Sequence, residues 1–267
     1  MNRKELAKYR GCTGLPTDWQ AWKRAIPYEP GEIDYEQPAV EMIRLVPETA
    51  EFLYSEYSPT LTRYQPGTRP KMERIVDLAL SRAKTDRDKV VTLLDWTWRM
   101  VSHCYRVRTE RVVVGGTEED ILERGFGYCN ELSRVFVTLC QVAGLRARMT
   151  FHWTADSRFG HSCAETFFDG KWQLCDATFN IHGSSVPRQN ASCWDLMRSK
   201  EVRRAFDRRV PARILHQAGV TAKDVTYSDF FHVIGICNYP VENFPYKLRA
   251  MASEGSYLDR KEREPRA

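Results

Sequence analysis

Cys129, His161 and Asp176 are the residue types that, brought together, make a thiol nucleophile, its base and the group that orients the base. Cys129 stands at the start of a predicted helix, where the positive end of the helix dipole favours thiolate over thiol. An imidazole beside it would take and return a proton. A carboxylate behind the imidazole would fix its tautomer and stabilise the imidazolium. Taken singly, each residue has a plainer reading: an inert buried thiol, a packed histidine, a carboxylate at a strand end. Their relative positions carry the case.

Those positions follow from local signals. Asp169-Gly170 is a two-residue hairpin turn signal, so Phe168 pairs with Lys171. In an unslipped register Asp176 then falls opposite Cys163. His161, two residues before Cys163, shares its sheet face and lies diagonal to Asp176, within cross-strand reach. Upstream, Leu132, Phe136, Val137, Leu139, Cys140 and Ala143 form a buried helical face that begins at or next to Cys129 and stops at Gly144. Leu145, Ala147, Met149 and Phe151 alternate with Arg146, Arg148 and Thr150, which predicts a strand. Earlier still, a helix runs from Lys71 and ends before Thr85. A second starts near Asp86 with Val90, Val91, Leu94 and Trp98 on one face, and Thr117 caps a short helix to Glu123.

These segments together resemble the core of the transglutaminase-like superfamily, whose catalytic domain is papain-like. Gly127-Tyr128-Cys129-Asn130-Glu131, followed by a helix and Gly144-Leu145-Arg146-Ala147-Arg148, is similar to that family's Gly-x-Cys, helix, Gly-Ile-Pro-Ala-Arg signature. His161-Ser-Cys-Ala-Glu165 resembles its His-Ala-Trp-x-Glu strand. Asp169-Gly170-Lys171-Trp172 and Asp176-Ala177-Thr178 resemble its Asp-Gly-x-Trp and Asp-Pro-Thr elements. The resemblance spans roughly residues 70 to 182. It implies an α+β fold with the nucleophile helix packed on an antiparallel sheet, and a Cys129–His161–Asp176 triad acting through a thioacyl intermediate. It implies a hydrolase acting on an amide or peptide-like bond, with transfer of the acyl group to an amine acceptor as the alternative. The Cys129 backbone N–H, free in the first helical turn, is a natural oxyanion donor. The Trp that animal transglutaminases place upstream is replaced here by Val114-Gly115-Gly116. Tyr128, Trp153 and Glu165 are the expected oxyanion- or substrate-lining residues, with a structural ion pair the stronger reading for Glu165.

Composition narrows the rest. The chain's 40 Lys and Arg against 35 Asp and Glu give a net charge of +5, too mild to argue for nucleic acid. The N-terminal residues lack an apolar run after their basic ones, and no stretch is long enough to span a bilayer, so a cytoplasmic protein without membrane contact is expected. Eight cysteines without a CxxC pair read as buried thiols rather than a disulfide framework. Cys129, His161, Cys163 and Cys175 are zinc-compatible types, yet Cys175 belongs to the opposite sheet face, so no metal is expected. No cofactor is needed. A scaffold that has lost its chemistry is disfavoured by the intact triad. The basic stretch Arg198 to Arg213 reads as a solvated helical face. Three segments are expected: an N-terminal extension (1–68), the catalytic core (69–185) and a C-terminal extension (186–267) that completes or covers it.

Overall fold

The structure, a computed structural model, describes residues 42–55, 64–106, 113–115, 117–156, 158–185, 190–220, 222–237 and 249–251, besides residues 5 and 8. Most of the expected N-terminal extension, Cys12, Gly116 and the aromatic run from 238 to 246 lie outside them.

The hairpin turn fixes the sheet. Asp169 (φ 52°) and Gly170 (φ 73°) both take left-handed backbone, the requirement of the turn that matches strand twist. Strand β6 (Gly160–Phe168) and β7 (Lys171–Asp176) then pair from Phe168↔Lys171 to Ala164↔Cys175, the register expected from the sequence. On its other edge β6 pairs with β5 (Arg146–Trp153), including His152↔His161. Beyond β7 lies the short β8 (Ile181–His182).

The flanks complete this sheet. Strand β9 (Val233–Cys237) inserts between β5 and β1 (Met42–Arg44), giving the antiparallel order β1-β9-β5-β6-β7-β8. Gly235 permits the closest approach: a Cβ there would sit 2.0 Å from the Met42 sulfur. Two smaller pairings occur, β2 (Ser102–His103) parallel to β4 (Phe126–Gly127) and β3 (Val113–Gly115) antiparallel to β10 (Arg249–Met251).

Eight helices are described: α1 (Pro47–Ser55), α2 (Pro70–Ala79), α3 (Asp86–Met100), α4 (Glu118–Arg124), α5 (Cys129–Val142), α6 (Cys193–Arg198), α7 (Lys200–Arg209) and α8 (Ala212–Gln217). Their ends follow from local chemistry. Pro70 opens α2 at a position whose N–H has no helical acceptor. Thr85 with Asp88, and Thr117 with Asp120, form reciprocal capping boxes on α3 and α4. Ser199 ends α6 and caps α7, and Pro211 precedes α8, so the basic stretch is broken into short helices. The buried face of α3 is Val90, Leu93, Leu94 and Thr97. Val91 is half-buried and Trp98 exposed, where the sequence placed them inward.

Helix α5 lies on one sheet face beneath α2, α3 and α4, and is buried from Glu131 through Gln141. Burying each of Leu132, Phe136 and Leu139 contributes roughly 1.5–3 kcal/mol. Ala164, Phe168 and Cys175 meet this layer. The alternate residues Cys163 and Leu174 point the other way, into a second core built with α1, α6, α7 and the 3-10 turn Tyr227–Phe230. The sheet is therefore covered on both faces. No helix among the described residues is long and apolar enough to cross a membrane.

Double coverage explains the fate of the polar alternation in β5. Arg148 is fully buried, stacked 3.9 Å over the Trp172 ring and bonded to Glu165 at 2.7 and 3.0 Å. The other Glu165 oxygen accepts from Tyr54 and from the Cys193 N–H, each at 2.8 Å. Breaking a buried ion pair from one side leaves a desolvated charge. Glu165→Ala is therefore expected to lower the unfolding free energy by about 3–5 kcal/mol, read by urea denaturation under circular dichroism. A loss below about 1 kcal/mol would show Arg148 finding water instead.

Candidate active site

Cys129 is placed by the N-terminus of α5. Its first turn is held by Glu131, whose carboxylate accepts the Tyr128 N–H at 2.8 Å and pairs with Arg124. Ser133 donates to the Ser162 carbonyl at 3.0 Å, pinning α5 to the start of β6. That tie matters, because α5 and the His161 side chain belong to opposite faces of the sheet. They meet at its end, where β6 begins.

His161 and Asp176 are joined as the hairpin register requires. Nε2 stands 2.7 Å from Asp176 Oδ2, and since a carboxylate only accepts, Nε2 carries the proton. Nδ1 is left for the thiol. Asp176 is fully buried and well supplied with donors: the Tyr227 hydroxyl at 2.9 Å, the Cys163 thiol at 3.3 Å, and the backbone N–H groups of Thr178 and Phe179 at 2.8 and 3.3 Å. Burial pushes its pKa up, but the His161 charge and these hydrogen bonds outweigh it and hold the carboxyl below its usual range. The rings of Phe179 and Phe230, each 5.4 Å from the imidazole, shield the pair from water.

Cys129 and His161 are shifted in opposite directions. Burial alone would raise the Cys129 pKa, but hydrogen bonding from His103 and His161, then their charge, brings it down to about 6. Burial likewise opposes charge on His161, yet neighbouring Cys163 and Asp176, with the bonds to Asp176 and Cys129, hold its pKa well above the ordinary value. Burial, then Asp176, pushes the Cys163 thiol up to about 12, so at neutral pH it is Asp176 that supplies the negative charge. Cys129 and His161 thus stand as thiolate and imidazolium at neutral pH.

The other expected residues fall in different places. Tyr128 precedes α5, but its hydroxyl is taken up by Cys104, and its ring stands edge-on to His103 and Tyr105. That engagement speaks against Tyr128 as an oxyanion donor. Glu165, locked in the Arg148 pair, belongs to the scaffold rather than the cleft. Trp153 is half-buried at the end of β5 opposite Gly160, the same sheet end as His161, stacked on Phe151. His152 is buried, bonded through Nε2 to Thr150 and packed on Phe231, and burial keeps it neutral.

Two residues beside Cys129, His161 and Asp176 carried no sequence signal. His103 reaches Cys129 through the β2–β4 pairing, and Tyr227 reaches Asp176 from the C-terminal segment. His161, Cys163 and Asp176 do offer metal-compatible atoms within 4.8 Å of one another. However, the Cys163 thiol stays protonated and the Asp176 oxygens already accept five hydrogen bonds from named donors. The donor set suits a hydrogen-bonded dyad. Cys175 points into the α5 layer, away from it.

No curated protein matches the chain. Among solved structures, it is similar to a candidate cysteine protease from Cytophaga hutchinsonii (18% identity over 50% of this chain and 45% of that one, TM-score 0.36). It is also similar to a candidate protease from Parabacteroides distasonis (13%, 45% and 26%, 0.34) and to a TGase (18%, 41% and 30%, 0.32). In each case the similarity spans less than half of the solved chain. Residues 74–177, from α2 through β7 to just beyond Asp176, match the family model of the transglutaminase-like superfamily, so this core of the chain is transglutaminase-like.

Proposed function

We propose that the chain is a cysteine-dependent enzyme that cleaves an amide or peptide-like bond through a thioacyl intermediate. Cys129 is the nucleophile, His161 the general acid and base, and Asp176 the orienting carboxylate. One observation carries the reading: a half-buried thiol at a helix N-terminus, lowered to about 6, stands beside an imidazole already paired with a buried carboxylate.

The steps balance without a cofactor. The Cys129 thiolate attacks the carbonyl carbon, and charge moves to the carbonyl oxygen beside the Cys129 N–H. As the C–N bond breaks, the His161 imidazolium gives its proton to the departing amine. Water then attacks the thioester, His161 takes its proton, and the acid leaves as the thiolate re-forms. An amine in place of water would give acyl transfer with the same residues. Trp153, on the α5 side of the sheet end, is the proposed wall for the acyl group.

Iodoacetamide labelling of the native protein from about pH 4 to about pH 9, read by peptide mass spectrometry, tests the thiolate. The sign follows from the depressed pKa: labelling of Cys129 rises as pH climbs through about 6, where burial keeps Cys104, Cys140, Cys163, Cys175 and Cys193 protonated. Loss of the low-pH arm in His161→Ala is expected with it. Labelling no faster than that of the remaining cysteines would sink the reading. Product analysis with and without an added amine then separates hydrolysis from transfer.

A further inference from the structure

His103 stands next to the nucleophile by construction. The parallel pairing of β2 with β4 sets it opposite Gly127, two residues before Cys129. Its ring is 4% exposed, stacked on Tyr105 at 5.4 Å and met edge-on by Tyr128 at 6.2 Å. The ring is thus clamped between two tyrosines, with one edge left for the thiol.

Its two nitrogens are not equivalent. Nδ1 is buried without a hydrogen-bond partner among the described residues. A buried lone pair left empty costs less than a buried N–H left without an acceptor, so the proton belongs on Nε2. Hydrogen bonding from His103 is among the influences that favour the Cys129 thiolate. Among the described residues its Nδ1 meets no carboxylate, whereas His161 is paired with Asp176.

We propose that His103 is a hydrogen-bond donor of the catalytic centre, its Nε2–H holding the Cys129 thiolate before attack and the carbonyl oxyanion during it, together with the Cys129 backbone N–H. The proposal rests on the thioacyl reading above. No proton is transferred to or from His103: negative charge passes from sulfur to the carbonyl oxygen and returns as the C–N bond breaks, and the donor follows it.

The test compares His103→Phe and His103→Gln with the unaltered protein. Phe keeps a ring between Tyr105 and Tyr128 but has no donor, whereas Gln loses the ring and keeps a neutral N–H. The readouts are acetylation of Cys129 by p-nitrophenyl acetate, followed by mass, and the pH profile of iodoacetamide labelling. For H103F acylation is expected to fall about 10²–10³-fold, and the low-pH arm of labelling to move above about 6. For H103Q acylation is expected within about tenfold of the unaltered protein. Full acylation by H103F would reduce His103 to packing and overturn the proposal. H103Q as slow as H103F, with both melting normally, would overturn hydrogen-bond donation as the role of His103. An unshifted labelling arm in H103F would overturn the thiolate contact, even if the unaltered protein failed to acetylate at all; that failure alone would count against the thioacyl reading.

Discussion

Cys129→Ala is expected to cost about 10⁵–10⁶-fold in turnover on any ester or amide the protein accepts, with little change in stability. Among the described residues, the substitution removes the only thiol that stands beside His161 with a lowered pKa. The other thiol near the dyad, Cys163, is fully buried and pushed up to about 12, so it has almost no thiolate to offer in its place. What remains is the donor set around the carbonyl and the binding surface, which support only a small residual rate. Cys129 is half-buried at the first position of α5, and alanine is a good residue there. The fold is held instead by the apolar face of α5 and by the Ser133–Ser162 and Glu131–Tyr128 bonds, none of which uses the thiol. A stability change within about 1 kcal/mol is therefore expected. Release of p-nitrophenolate and the mass of the acylated chain report the first effect, and urea denaturation the second. Full turnover by the variant would remove Cys129 from the chemistry; loss of the native circular dichroism would mean that the thiol is structural.

The Cys–His–Asp set was legible because each part is fixed by local rules. The turn at Asp169-Gly170 demands left-handed backbone at two successive residues, and that demand sets a register from which the His161–Asp176 contact follows. Helix α5 announces itself by its apolar spacing and the stop at Gly144. His103 was not legible, because β2 and β4 are two residues each and a parallel pairing of that length leaves no periodic trace. Tyr227 lies 51 residues beyond Asp176 in a segment with no strong pattern, so nothing local points it at the carboxylate. The alternation in β5 correctly gave a strand, but not that its polar face is covered. The cover comes from α1, α6 and α7, whose packing is a long-range property of the chain. Glu165, whose stronger reading from sequence is a structural ion pair, is half of one in the structure, but its full burial with Arg148 rests on that same cover.

Asp176→Asn is the sharper probe of mechanism, because it keeps the shape and changes only which groups donate. The Asp176 side chain accepts at both oxygens: Oδ1 takes the N–H groups of Thr178 and Phe179, and Oδ2 takes His161, Cys163 and Tyr227. An asparagine oxygen preserves the backbone bonds, so its NH₂ must face His161. A donor there can be met only by an unprotonated Nε2, which moves the imidazole proton to Nδ1, the nitrogen that should receive it from the thiol. The negative charge that supports the imidazolium is lost as well. Turnover is expected to fall about 10⁴-fold with the fold retained. The thiol should respond too: with His161 no longer held above its ordinary pKa, its charge ceases to stabilise the thiolate, and the iodoacetamide profile of Cys129 should shift upward from about 6. Both readouts moving together would place Asp176 behind His161 in one unit. A fall in turnover with the labelling profile unmoved would instead mean that Asp176 orients the ring without setting its charge. Neither moving would remove Asp176 from the catalytic unit.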